Sequence, residues 1–135
     1  MSGDCVNDLI NIAKLHPRCD RMSKINKQRS RHYKWQDVCD GWPLVETDEL
    51  SVKQEKMPPK TCEVRHFHRE ARQFFYVLSG HLSMEIDGTL VILGANDGLE
   101  VAPKTRHQAR NESAEPVEFL VVSTPTTTND KHLVE

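Results

Sequence analysis

The sequence has no CxxC pair, no long apolar run and no excess of charge of either sign, and each absence removes a class of protein. Its four cysteines, Cys5, Cys19, Cys39 and Cys62, are scattered along 135 residues. Such spacing fits neither a zinc knuckle nor a disulfide framework, so reduced thiols are expected, with Cys62 buried as a small hydrophobe. No stretch approaches the roughly 20 apolar residues of a membrane-spanning helix. The start lacks the basic-then-apolar order of a signal peptide, because Asp4 and Asp8 precede any basic residue, and a cytoplasmic location is expected. With 18 basic against 20 acidic residues and a net charge of −2, neither nucleic acid nor an anionic membrane is expected as an obligatory partner.

What is present is enough chain for one core. Residues 1–31 read as an N-terminal arm. Val6, Leu9, Ile10, Ile12 and Leu15 suit one face of a short helix over 4–16 that Pro17 would end, and a polar, locally basic linker follows. Residues 32–125 read as a β-domain, and 126–135 as a polar, loose tail. Short β-like segments are expected at 32–38, 42–46, 49–57, 62–68, 73–79, 81–87, 89–93, 99–102, 106–111 and 117–124, with turn residues between them, as in a β-sandwich or barrel. Asp87-Gly88 is the strongest hairpin signal. In the run Phe74 to Leu78 both alternating faces are apolar. Phe75 and Val77 join Gln73 on one side, and Phe74, Tyr76 and Leu78 need cover on the other, from the N-terminal helix or a second subunit, with a homodimer favoured.

The chemistry centres on His66 and His68. In a strand, side chains two apart share a face, so both imidazoles can serve one metal ion. Gln73 follows, and His107 lies downstream in RHQARN; His16, His32, His81 and His132 are read as surface or satisfied core residues. Neutral imidazoles suit Zn, Fe, Ni, Cu or Mn, and an amide oxygen can complete the set. Trp42 could wall a cavity or fill the core, Phe75 lies on the pocket side, and Arg106 and Arg110 are candidate clamps for an anionic substrate.

Two motifs tie these residues together. Lys60-x5-His66-x-His68-x4-Gln73-x6-Gly80 resembles the first motif of the cupin superfamily, G-x5-H-x-H-x3,4-E-x6-G. Asn96-x5-Ala102-x-Lys104-x2-His107-x3-Asn111 resembles the second, G-x5-P-x-G-x2-H-x3-N. Every spacing is kept. The departures are Lys60, Asn96 and Lys104 for glycines, Ala102 for the proline, and Gln73 for the acidic ligand. The resemblance implies an all-β double-stranded β-helix, or jelly roll, binding one divalent transition metal ion (Zn, Fe, Ni or Mn) through His66, His68, Gln73 and His107, and a small-molecule substrate. It is similar to small cupins that act on sugar acids, which implies a metal-dependent isomerase or tautomerase. An iron-dependent dioxygenase and a non-enzymatic, metal-stabilised binding module are the alternatives.

Overall fold

The computed structural model describes residues 23–134. The helix expected over 4–16 lies outside the described residues. Twelve strands follow in order: β1 (Tyr33–Trp35), β2 (Cys39–Glu46), β3 (Ser51–Met57), β4 (Thr61–Cys62), β5 (His66–His68), β6 (Arg72–Ser79), β7 (Leu82–Ile86), β8 (Thr89–Leu93), β9 (Gly98–Val101), β10 (His107–Asn111), β11 (Val117–Thr124) and β12 (Lys131–Leu133). They form two antiparallel sheets, β1-β2-β3-β11-β6-β9 and β12-β5-β10-β7-β8, with β4 added to β10. This is the double-stranded β-helix, closed face to face around one core.

Alternation in sequence becomes burial in structure. Along β11, Val117, Phe119, Val121 and Ser123 are buried while Glu118, Leu120 and Val122 are only partly covered. Phe119, Met57, Leu82, Met84, Val77 and Val117 are fully buried between the sheets. The β7–β8 hairpin turns at Asp87 (φ 47°) and Gly88 (φ 90°), two consecutive left-handed residues that match the twist of the flanking strands. On β6, Gln73, Phe75 and Val77 face inward and Phe74, Tyr76 and Leu78 face out, as expected.

Three local expectations are corrected. The single strand over 62–68 is two strands, because Glu63 leaves the extended path and turns its side chain inward, where Oε2 accepts the Ala109 N–H at 2.8 Å. Cys62 is exposed rather than buried, since that break takes it off the face of His66 and His68. The tail is not loose: β12 pairs with β5, with Lys131 opposite His68 and Leu133 opposite His66.

The backbone also explains the departures from the motif glycines. Lys60 (φ 62°), Asn96 (φ 72°) and Lys104 (φ 69°) all occupy the left-handed region that glycine adopts freely. The turns have kept their geometry with residues that favour it less.

Candidate metal centre

His66 and His68 project from β5 on either side of the outward-facing Phe67, and His107 on β10 is the direct cross-strand partner of His66. The three rings converge, with centroids 4.9 Å apart for His66–His68, 4.5 Å for His66–His107 and 5.6 Å for His68–His107. One nitrogen from each ring can be chosen so that all three lie within 4.8 Å of one another. Gln73 lies on the inner face of the opposite sheet, on β6, and all four side chains are buried.

Each imidazole is held by its far nitrogen. His66 Nδ1 donates to the Val64 carbonyl, His107 Nδ1 to the Thr105 carbonyl and His68 Nδ1 to the Asp130 carbonyl, each at 2.9 Å. A proton on Nδ1 leaves Nε2 with a bare lone pair, the form that binds metal. Burial drives all three imidazoles towards the neutral state, the pKa of His66 falling to about 3 and those of His68 and His107 also falling.

Two buried atoms, His107 Nε2 and Gln73 Oε1, have no hydrogen-bond partner among the described residues. Gln73 Nε2 donates to Ser123 Oγ at 3.1 Å, which fixes the amide and leaves its oxygen as the free end. Bare imidazole nitrogens together with an unpaired amide oxygen are a donor set for a divalent transition metal, and this donor chemistry fits the ion implied by the motifs.

Asp130, Ser123 and Glu63 complete the surroundings, and none was legible as part of the site. Asp130 also caps the turn between β5 and β6, its carboxylate accepting from the N–H groups of Arg69, Glu70 and Ala71. Burial pushes its pKa up, but the N–H groups of Ala71, Arg69 and Glu70 outweigh it and hold the carboxyl below its usual range. Glu63 lies 3.9 Å from His66 Nδ1, and burial raises its pKa to about 8 despite the bond from Ala109.

The other pocket candidates divide. Phe75 does reach the cluster, its ring centroid 6.1 Å from that of His107. Trp42 instead lies on the outer face of its sheet, under Lys27 and beside His32. Arg110 points away from His107 and bonds Gln108 and Glu112 on the outer surface. Arg106 is exposed on the turn before His107. Of the remaining histidines, His32 pairs with Asp40 and His132 stacks on Phe67, both away from the cluster.

Residues 53–123 match the family model of the cupin domain. A stretch of 60 residues is 32% identical to the polyketide synthase CurC of Streptomyces cyaneus; it covers 44% of this chain and spans about two fifths of that protein, 39%. Among solved structures, the polyketide cyclase RemF from Streptomyces resistomycificus superposes with a TM-score of 0.71 at 16% identity, covering 84% of this chain and 86% of its own. A cupin-superfamily sugar phosphate isomerase from Silicibacter pomeroyi gives 0.68 at 22% identity, covering 77% and 76%. No helix among the described residues is long and apolar enough to cross a membrane.

Proposed function

The chain belongs to the cupin family, and from that premise we propose that it is a metal-dependent enzyme of isomerase or tautomerase type, acting on a small oxygen-rich carbonyl compound such as a sugar acid. The observation that carries this reading is the pair of unpartnered buried atoms, His107 Nε2 and Gln73 Oε1, beside two further imidazoles held in the metal-binding tautomer. His66, His68, His107 and Gln73 would hold one divalent ion of zinc, iron, nickel or manganese. Such an ion, when bound, polarises a carbonyl or hydroxyl oxygen.

The protein's own contribution is orientation and charge. Three backbone carbonyls fix the imidazoles, and Phe75 packs edge-on against His107. Gln73 stands where the motif has a carboxylate, so the donor set carries no negative charge and leaves more positive potential for an oxygen-rich ligand. Among structures of the same fold, one is named a sugar phosphate isomerase and another a polyketide cyclase.

The test uses protein purified without a metal-affinity step, analysed for metal and then loaded with cobalt(II) or zinc(II). Turnover of uronates or keto acids, with a cobalt spectrum that responds to the same compounds, is the expected result. Absence of both overturns the proposal. Substrate-dependent oxygen uptake by the iron-loaded protein would replace it with a dioxygenase.

We also propose that the working form is a homodimer. The outer face of β6 leaves Phe74 and Leu78 about two fifths exposed, beside the partly covered Leu120 and Val122 of β11. A second copy applied there by two-fold symmetry would cover both strands.

A further inference from the structure

The chain through β4 and β5 does not run along β10 in a single register. Before the break Thr61 stands opposite Asn111 and Cys62 opposite Arg110; after it His66 stands opposite His107. The step from Cys62 to His66 is four residues, while the step from Arg110 back to His107 is three. One extra residue is therefore held in the break, which makes it a β-bulge. Its consequence is a change of face. Cys62 is exposed and Glu63 buried, so an unbroken strand would put Arg65 opposite His107 and leave His66 and His68 outside with Cys62. Instead two successive residues, Val64 (41% exposed) and the half-buried Arg65, stay on the outer side, and both histidines return to the interior.

The side chain of Glu63 fixes this bulge. In a regular antiparallel pair two facing residues exchange two backbone hydrogen bonds. The Glu63 N–H does donate to the Ala109 carbonyl at 3.1 Å, but the returning Ala109 N–H is taken by Glu63 Oε2 at 2.8 Å. The Glu63 carbonyl, displaced from the ladder, accepts from Gln108 Nε2 at 2.8 Å. The other end of the break is anchored at Arg65, whose Nε donates to Glu85 Oε1 at 2.7 Å and whose carbonyl accepts the Val134 N–H at 3.0 Å. Between the two anchors lies Val64, and its carbonyl is the one that accepts from His66 Nδ1.

We infer that Glu63 is a positioning residue for the metal centre: standing in for a backbone carbonyl, it locks the bulge that brings His66 into register with His107 and places the Val64 carbonyl that orients the His66 ring. Its other oxygen, Oε1, lies 3.9 Å from His66 Nδ1, the nitrogen already committed to Val64, so Glu63 acts through His66 rather than on the ion. Without this acceptor the buried Ala109 N–H has to recover the Glu63 carbonyl as its partner, and that rotation moves Val64 with it. The inference rests on the metal-dependent reading above and adds to it a residue outside the donor set.

The test compares Glu63→Gln, which keeps an acceptor for the Ala109 N–H, with Glu63→Ala, which removes it, and with Val117→Ala as a core variant that only loses stability. Cobalt(II) affinity, measured by chelator competition, should fall about tenfold to a hundredfold in Glu63→Ala and stay within about threefold of wild type in the other two. In the metal-free protein, proton NMR should show the His66 Nδ1 proton exchanging with water at least tenfold faster in Glu63→Ala, with those of His68 and His107 unchanged. If Glu63→Ala does not fold, Gln108→Ala, which frees only the Glu63 carbonyl, carries the test, and faster exchange of the His66 proton is again expected. Unchanged cobalt affinity and proton exchange in the variant that folds, an equal loss in Glu63→Gln, or an equal loss in Val117→Ala overturns the inference and leaves the metal centre standing. Failure of the wild-type protein to bind cobalt overturns both.

Discussion

His107 Nε2 and Gln73 Oε1 are buried polar atoms without hydrogen-bond partners among the described residues, and each such atom, left unpaired, costs about 1–3 kcal/mol. A metal ion held as proposed would satisfy both. The double variant His66→Ala, His68→Ala is therefore expected to abolish metal retention by elemental analysis, and the wild-type melting temperature should rise on metal addition while that of the variant should not. Gln73→Glu restores a negative charge to the donor set, and chelator competition should show metal affinity raised at least tenfold. The same imidazoles set the acid stability of the metal-free protein. Their folded pKa values lie below the unfolded value of about 6.5, that of His66 at about 3, so the folded state resists their protonation. Their contribution is fully present above about pH 6.5 and is lost as pH falls towards 3; Asp130, also depressed, adds to the loss below about pH 4. Urea midpoints measured from pH 8 to pH 4 should decline accordingly, less steeply in the His66→Gln variant. Lys104 offers a gain: a left-handed non-glycine residue costs about 1–2 kcal/mol, and glycine's extra chain entropy costs about 0.5–1, so Lys104→Gly should stabilise by about 0.5–1 kcal/mol in denaturant titration.

At the scale of elements, β12 is the piece whose importance exceeds its length. Asp130, the residue that leads into it, supplies the carbonyl that orients His68 and caps the turn before β6. Removing residues 126–135 should lower metal affinity by tenfold or more, and Asp130→Ala should reproduce most of the loss of thermal stability. Asn111, at the end of β10, plays a comparable part for the other motif: its amide donates to the carbonyls of Met57, Pro58 and Glu115, clamping two turns together. The three histidines were legible because their spacing is local, two apart on a strand and four before a motif asparagine. Asp130 was not, because its bond to His68 spans 62 residues and no periodicity encodes a contact made by a polar tail. Ser123 and Glu63 were hidden for similar reasons, one by a pairing of strands 50 residues apart and the other by a break in a run that reads as continuous. Arg110 misled because a cation three residues beyond a ligand falls on the opposite face once the strand is regular. Trp42 lies on the outside because Gly41 and Pro43 take the inward positions beside it.

For the whole molecule, the two sheets have unequal surroundings. The inner faces share one core, in which truncating the fully buried Phe119 to alanine should cost about 3–5 kcal/mol. The outer face of β6 and β11 remains apolar, and the proposed dimer predicts a concentration-dependent sedimentation coefficient. Phe74→Lys should shift the protein to monomer with little change in metal retention, since Phe74 points away from Gln73. A monomeric wild-type protein at all concentrations would remove the dimer and leave the metal centre untouched.

The three carbonyls that hold the imidazoles lie at Val64, Thr105 and Asp130, spread over the chain in the order in which a ribosome would release them. All four donors are synthesised by residue 107, yet the brace for His68 arrives last. A nascent chain thus carries every proposed donor before it can orient them all, and metal capture would follow only once Asp130 has docked against His68. Loading during translation should lag behind the emergence of His107 and coincide with that of Asp130.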